Sequence, residues 1–244
     1  MEIITFVWNN LSVIGGLTIE HLRIVGVSVA VAILTGVPLG IWISTNDRLA
    51  KFVLYVASVI MTIPSVALFG LMIPVLSYIG QGIGFLPAVI ALFLYAQLPI
   101  IRNTYTAIKN IDASLREAAN GMGMTVSERL RKVEIPIALP IIMAGVRMAV
   151  VINVGIATIA AYIGAGGLGQ LISRGIAQSD TRQIIAGAIL VSTLAIAADY
   201  SLAGVQRLLT PKGLRNVPSR RLMKTLHFLR TIAGFSSDRK KAHI

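Results

Sequence analysis

The sequence predicts an all-α polytopic membrane protein with about five transmembrane helices, and three observations carry that prediction. Hydrophobic residues make up 55% of the 244 and charged residues only 13%, with a mean hydropathy of +0.80, too apolar for an ordinary soluble domain of this length. The apolar residues gather into runs long enough to cross a hydrocarbon core of about 30 Å, which takes roughly 20 helical residues. The charge lies almost wholly outside those runs. The net +12 therefore builds no single basic face of the kind that grips nucleic acid.

Residues 1–21 are apolar but interrupted by Asn9, Asn10, Gly15, Gly16 and Glu20. They read as an interfacial helix and turn on the extracytoplasmic side. No positive residue precedes their apolar part, which argues against a cleaved leader and for a mature chain starting near Met1. Leu22 to Ile43 is the first span, and Gly36 and Gly40 sit four apart within it, a spacing that lets helices approach closely. The second, Phe52 to about Ile79, is kinked by Pro64 and Pro74, with a short separate helix after Pro74. Ser58, Thr62 and Ser65 stand ready to satisfy backbone groups freed by the prolines. Gln81 to Gly84 is a glycine turn, and Phe85 to Ile101 is the third span. Ala138 to Ile163 and Gln183 to Leu208 are the fourth and fifth, so the membrane domain covers 22–208. The tail, 209–244, is basic and reads as a segment lying on anionic lipid.

Between the third and fourth spans lies the one long polar interruption, 102–137. Asp112 is placed to cap a short helix over Ala113 to Asn120, ended by Gly121 and Gly123. Thr125 and Glu128, three apart, form a capping box that opens a second short helix, expected to stop by Ile135 because Pro136 follows. The first helix is poor in bulk at Ala118 and Ala119, which suits a knob that another protein approaches closely.

Glu117-Ala118-Ala119, then Gly123 after three residues, then Val133, Ile135 and Pro136 after nine more, complete a spaced pattern. By it the chain resembles the inner-membrane permease subunits of ATP-binding-cassette importers, with Val133 and Ile135 replacing the commoner Ile and Leu. The resemblance implies a fold like that of the methionine permeases. It also implies that this loop is a coupling helix seated in a groove of a cytoplasmic ATPase subunit, and that the spans form half of a dimeric pore. An extracytoplasmic solute-binding protein and a second permease subunit, the same chain or a paralogue, are the other implied partners; the place is the bacterial inner membrane. The match continues through Gly145-Val146-Arg147-Met148-Ala149, a glycine run and Pro211. There the chain is most similar to permeases for osmoprotectants such as glycine betaine, carnitine and choline, although methionine permeases share much of the same block.

Orientation follows from the Lys and Arg. With the coupling loop in the cytoplasm, all but four of the 22 lie on that side. Arg23, Arg174 and Arg182 lie opposite and Arg147 lies within a span, so the N-terminus is expected outside and the C-terminus inside.

Other constellations are weaker. Gly164, Gly166, Gly167 and Gly169 spell a dinucleotide fingerprint, but a nucleotide site needs a strand before it and a helix after it, whereas this run ends a membrane span. It resembles the outer glycine turn of the permease branches named above. Arg147 and Asp199 are intramembrane charges at similar depth, read as an ion pair joining the fourth and fifth spans or, alternatively, as lining of the pathway. Asn153, Thr158 and Tyr162 lie along the outer part of the fourth span, facing the pathway or hydrogen bonding between helices; Thr158 and Tyr162, four apart, would share a face. Trp8, Trp42, Tyr55, Tyr78 and Tyr95 read as interface anchors. His21, His227 and His243 are far apart and outside the spans, there is no cysteine, and no carboxylate pair or activated serine stands out. No enzyme active site, cofactor or metal site is therefore expected. Two rival classes remain: a channel needing no ATPase, and a membrane-tethered DNA-binding regulator, whose recognition helix the flanking spans would restrain.

Overall fold

The computed structural model describes residues 2–210, which fold into helices and short turns with no strand among them. The basic tail and Pro211 lie outside the described residues. In chain order the helices are α1 (Glu2–Asn9), α2 (Leu11–Ile43), α3 (Asp47–Thr62), α4 (Ser65–Ser77), α5 (Phe85–Lys109), α6 (Ala113–Gly121) and α7 (Val126–Arg129). A π-helical turn, Leu130–Glu134, joins α7 to α8 (Ile135–Ala157), and a 3₁₀ turn, Ile159–Ile163, follows it. α9 (Gly169–Ala177) and α10 (Thr181–Leu209) complete the bundle.

Four stretches are long and apolar enough to cross a membrane: Leu11–Ile43, Phe85–Lys109, Val126–Ala157 and Thr181–Leu209. A fifth crossing is reached if α3 and α4 are counted as one span, bent by 98°. The turn expected within the first twenty residues shrinks to Asn10. Its side chain donates to Phe6 O at 2.8 Å, while Gly15 and Gly16 are absorbed into α2. Helix is the economical state for such a run, because backbone groups in lipid must bond internally. His21, expected outside the spans, is consequently inside α2 and wholly buried.

The bend of the second span falls at Pro64 alone; Pro74 lies within α4 without ending it. Proline disfavours helical backbone in the residue before it, and Ile63 is extended, with ψ 127°. Neither Ser58 nor Thr62 satisfies the backbone exposed there, since each donates to its own preceding turn. The hydroxyl of Tyr95 donates to Ile63 O instead. Tyr95 is thus buried inside the bundle and is no interface anchor; Trp8, Trp42, Tyr55 and Tyr78 are exposed.

The bundle is built round α5. In its apolar window 61% of residues are buried, against 17% for α10, so α5 is the axle and α10 a peripheral stave. Small residues set the spacing of its neighbours. A Cβ on Gly36 would lie 3.0 Å from Gln97 and Ile100, and one on Gly40 would lie 2.6 Å from Thr104 Cβ. Gln97 Nε2 also donates across the same seam to Thr35 Oγ1 at 2.9 Å. On the other flank Gly145 of α8 meets Pro99 O and Asn103 just as closely. Both spaced glycines of the first span are therefore packing residues: Gly40 meets atoms fixed to the α5 backbone, and Gly36 meets side chains of α5.

Candidate functional site

The polar elbow folds as its caps dictate. Asp112 Oδ1 accepts from Ser114 N–H at 3.0 Å and starts α6, which carries Glu117, Ala118 and Ala119. Gly123, with φ +76°, lies in the left-handed region that lets the chain turn out of the helix. Thr125 then opens α7 with a reciprocal box: Glu128 N–H donates to Thr125 Oγ1 at 3.3 Å and Thr125 N–H to Glu128 Oε2 at 3.0 Å. These bonds, with Lys132 beside it, hold the Glu128 carboxyl down to about 2.

Pro136 does not end the second helix. The chain widens into the π turn, where Ile135 N–H reaches back to Leu130 O, and continues straight into α8 with proline in its first turn. A π turn adds a residue to the ring just where the proline ring would strike the carbonyl four residues before it. Val133, Ile135 and Pro136 therefore join the elbow to the span rather than separating them.

The elbow presents an open face. Glu117, Ala118, Gly121 and Gly123 are exposed, Gly121 and Gly123 have nothing near their missing side chains, and Leu115, Met122 and Val126 expose apolar surface close by. Ala119 is the exception, turned inward and 1% exposed. The whole is a low, largely apolar ridge carrying the Glu117 carboxylate, a shape for seating against another protein.

The two intramembrane charges meet. Arg147 Nε and Nη2 donate to Asp199 Oδ1 and Oδ2, both at 2.8 Å, a two-pronged contact between α8 and α10 that fixes direction as well as distance. The cluster runs further: Arg147 Nη1 donates to Gln206 Oε1 at 2.9 Å and Gln206 Nε2 to Pro140 O at 3.0 Å.

The outer candidates separate. Asn153 is wholly buried, its Nδ2 donating to Leu92 O at 3.0 Å, which ties α8 to α5. Thr158 and Tyr162 share no helical face, because α8 ends at Ala157 and the chain tightens into the 3₁₀ turn. Thr158 Oγ1 donates to Gly155 O, and Tyr162 is 64% exposed. Gly164, Gly166 and Gly167 all have positive φ, and the run curls back onto α2, where Gly167 N–H donates to Glu20 Oε2 at 2.9 Å. No strand precedes it, so nothing here forms a dinucleotide cradle. A Cβ on Gly169 would lie 2.0 Å from Thr158 O, so glycine lets α9 start against the end of α8.

Residues 32–213 match the family described as the binding-protein-dependent transport system inner membrane component. The chain belongs to that family. This permease is 53% identical to an osmoprotectant import permease protein of Salmonella typhimurium, over 88% of this chain and all of that one. It is 42% identical to a glycine betaine/carnitine/choline transport system permease protein of Bacillus subtilis, over 88% of this chain and 97% of that one. A choline transport system permease protein of the same organism is also 42% identical, over 82% and 90%. Among solved structures, the permease resembles a methionine ABC transporter in an inward-facing conformation, with a TM-score of 0.73 and 25% identity over 82% of this chain and 98% of that one. An all-helical permease fold of the methionine-transporter type is thus the architecture.

Sequence reading missed three residues of this permease that organise its ends. Glu20 and His21 hold the glycine run and the end of α8, His21 Nε2 lying 3.1 Å from Val154 O. Glu134 sits behind the elbow, 4% exposed. A charged residue two before a proline in a polar loop gives no sign that it will be buried.

Proposed function

We propose that this permease is the membrane-spanning subunit of an ATP-binding-cassette importer for small osmoprotectants such as glycine betaine, carnitine or choline. It does no chemistry itself. A cytoplasmic ATPase seats against Glu117, Ala118 and the turn at Gly121 and Gly123, an extracytoplasmic binding protein delivers the solute, and a second permease subunit completes the pore. ATP binding and hydrolysis move the elbow, which moves α8. The N-terminus is outside and the C-terminus inside, as the distribution of Lys and Arg suggests. The single observation that carries this reading is the elbow itself: an exposed low ridge at one end of the bundle, continuous with α8 through the π turn. Identity above 40% to several osmoprotectant permeases supports the solute class over methionine. Arg147 and Asp199 serve as a structural tie between α8 and α10.

Uptake of labelled glycine betaine, choline, carnitine and methionine in cells lacking the subunit tests the proposal. Restoring this chain together with its ATPase should restore uptake of a quaternary amine. Methionine uptake alone would move the solute to the amino-acid class, and uptake without any ATPase would replace the importer with a channel.

A further inference from the structure

The elbow contains a joint that a push would be expected to bend. Between α7 and α8 the backbone passes through the π turn, and Pro136 contributes no N–H, so this stretch has fewer and poorer internal bonds than a plain helix. Motion arriving at α6 would dissipate here unless something bridges the joint. Glu134 sits at its centre, its side chain 6% exposed. Its Oε1 accepts from Arg129 Nε of α7 at 2.9 Å and lies 3.3 Å from Arg116 Nε of α6.

Each arginine is anchored a second time. Arg129 Nη1 donates to Asn120 Oδ1 at 2.7 Å, and Arg116 Nη2 to Ile108 O at 2.6 Å. One buried carboxylate thus closes a ring through the end of α5, one face of α6, α7 and the entry to α8. Neither arginine points a free charge at the ridge, and Glu134 takes no part in the exposed docking face. A hydrogen bond from Arg129 and the charge of Arg116 at 3.3 Å offset the cost of burying the carboxylate, and a neutral side chain would leave both guanidinium groups without a counter-charge.

We propose that Glu134 is a positioning residue that makes the elbow and α8 one rigid lever, so that displacement of α6 reaches the membrane span instead of being absorbed at the π turn. This rests on the reading of the elbow as the ATPase-docking site.

The test uses the complete complex, permease with ATPase and binding protein, reconstituted in liposomes with labelled glycine betaine inside an uptake assay and phosphate release measured in parallel. For Glu134→Gln and Glu134→Ala, solute taken up per ATP hydrolysed should fall by about fivefold or more, while Glu134→Asp stays within about twofold of the original. If uptake and hydrolysis fall together and the ratio holds, Glu134 only stabilises the fold and the proposal is overturned. An original complex that never couples hydrolysis to uptake overturns the docking reading as well, which separates the two failures.

A second measurement does not depend on turnover. The chain has no cysteine, so spin labels at Ser114→Cys on α6 and Ile141→Cys on α8 report one distance within each subunit. Glu134→Gln should broaden that distance distribution in the assembled complex; an unchanged width overturns the proposal.

Discussion

Replacing Gly40 with alanine tests whether α2 and α5 are held at contact distance by the absence of a side chain. The added methyl would lie 2.6 Å from Thr104 Cβ, 2.9 Å from Thr104 Cγ2 and 3.0 Å from Ile101 O. Carbon atoms rest at about 3.5–4.0 Å, so the deficit is close to 1 Å. No rotamer relieves it, since a Cβ and a backbone carbonyl are both fixed to the α5 backbone; the helices must part. Overpacking of this kind costs about 1–3 kcal/mol, while exchanging glycine for alanine within a helix returns about 0.5–1 kcal/mol. The net expectation is a loss of about 1–2 kcal/mol, or a fall of about 2–8 °C in melting temperature for a chain of this size. Gly26→Ala is the control, because nothing lies within 4 Å of that position, and it should be neutral or slightly stabilising. Gly36→Ala, with contacts of 3.0 Å to side-chain atoms that can shift, should fall between. Melting curves of the purified protein in detergent, read by size-exclusion fluorescence, order the three. Equal stability of the Gly40 and Gly26 variants would refute the close-packed seam.

Arg147→Ala should lower stability by about 1–3 kcal/mol, less than the loss for a fully buried pair because both side chains keep some exposure. Arg147→Ala with Asp199→Ala should recover part of that, and denaturant unfolding of the singles and the double gives the coupling. Glu128 has its carboxyl pulled from an ordinary 4.5 to about 2 by the Thr125 amide and then by Lys132. A depressed carboxyl stabilises the fold above its unfolded value and ceases to as pH falls through the folded one. The stability difference between the original chain and Glu128→Gln should therefore be flat above about pH 4.5 and shrink towards pH 2, which denaturant titrations across that range would show. Gly169→Ala must push α9 off Thr158 O and should leave little folded protein in a detergent extract, whereas Gly155→Ala, with open space around it, should extract normally. Cysteine placed at Gly121 should react in intact cells only with a membrane-permeant maleimide; labelling by an impermeant one would invert the proposed orientation.

The caps of the elbow were legible because they are local: Asp112 with Ser114, and Thr125 with Glu128, need only neighbours two or three residues away. The meeting of Arg147 and Asp199 was legible from cost, since two charges at matching depth have few other places to go. What sequence hid was set by partners distant in the chain. Tyr95 carries the composition of an interface anchor, and only the bend at Ile63, 32 residues earlier, turns it inward. Pro136 carries the mark of a helix end, but a widened turn spends one residue and lets the helix run on. Glu134 stands in a basic loop with no local sign of its partners, and its burial depends on Arg116 and Arg129 arriving together.

The sharp corner at Pro64 reaches beyond its own neighbourhood. Taken as a single passage through the bilayer, α3 and α4 bring the crossings to five, so that α1 and the end of α10 would lie on opposite faces. Were the same pair to dip in and return, the number would be even and both ends would share a compartment. With the elbow inside, the choice between these two paths decides on which face α1 lies, and a reporter enzyme fused ahead of Met1 reads the outcome directly.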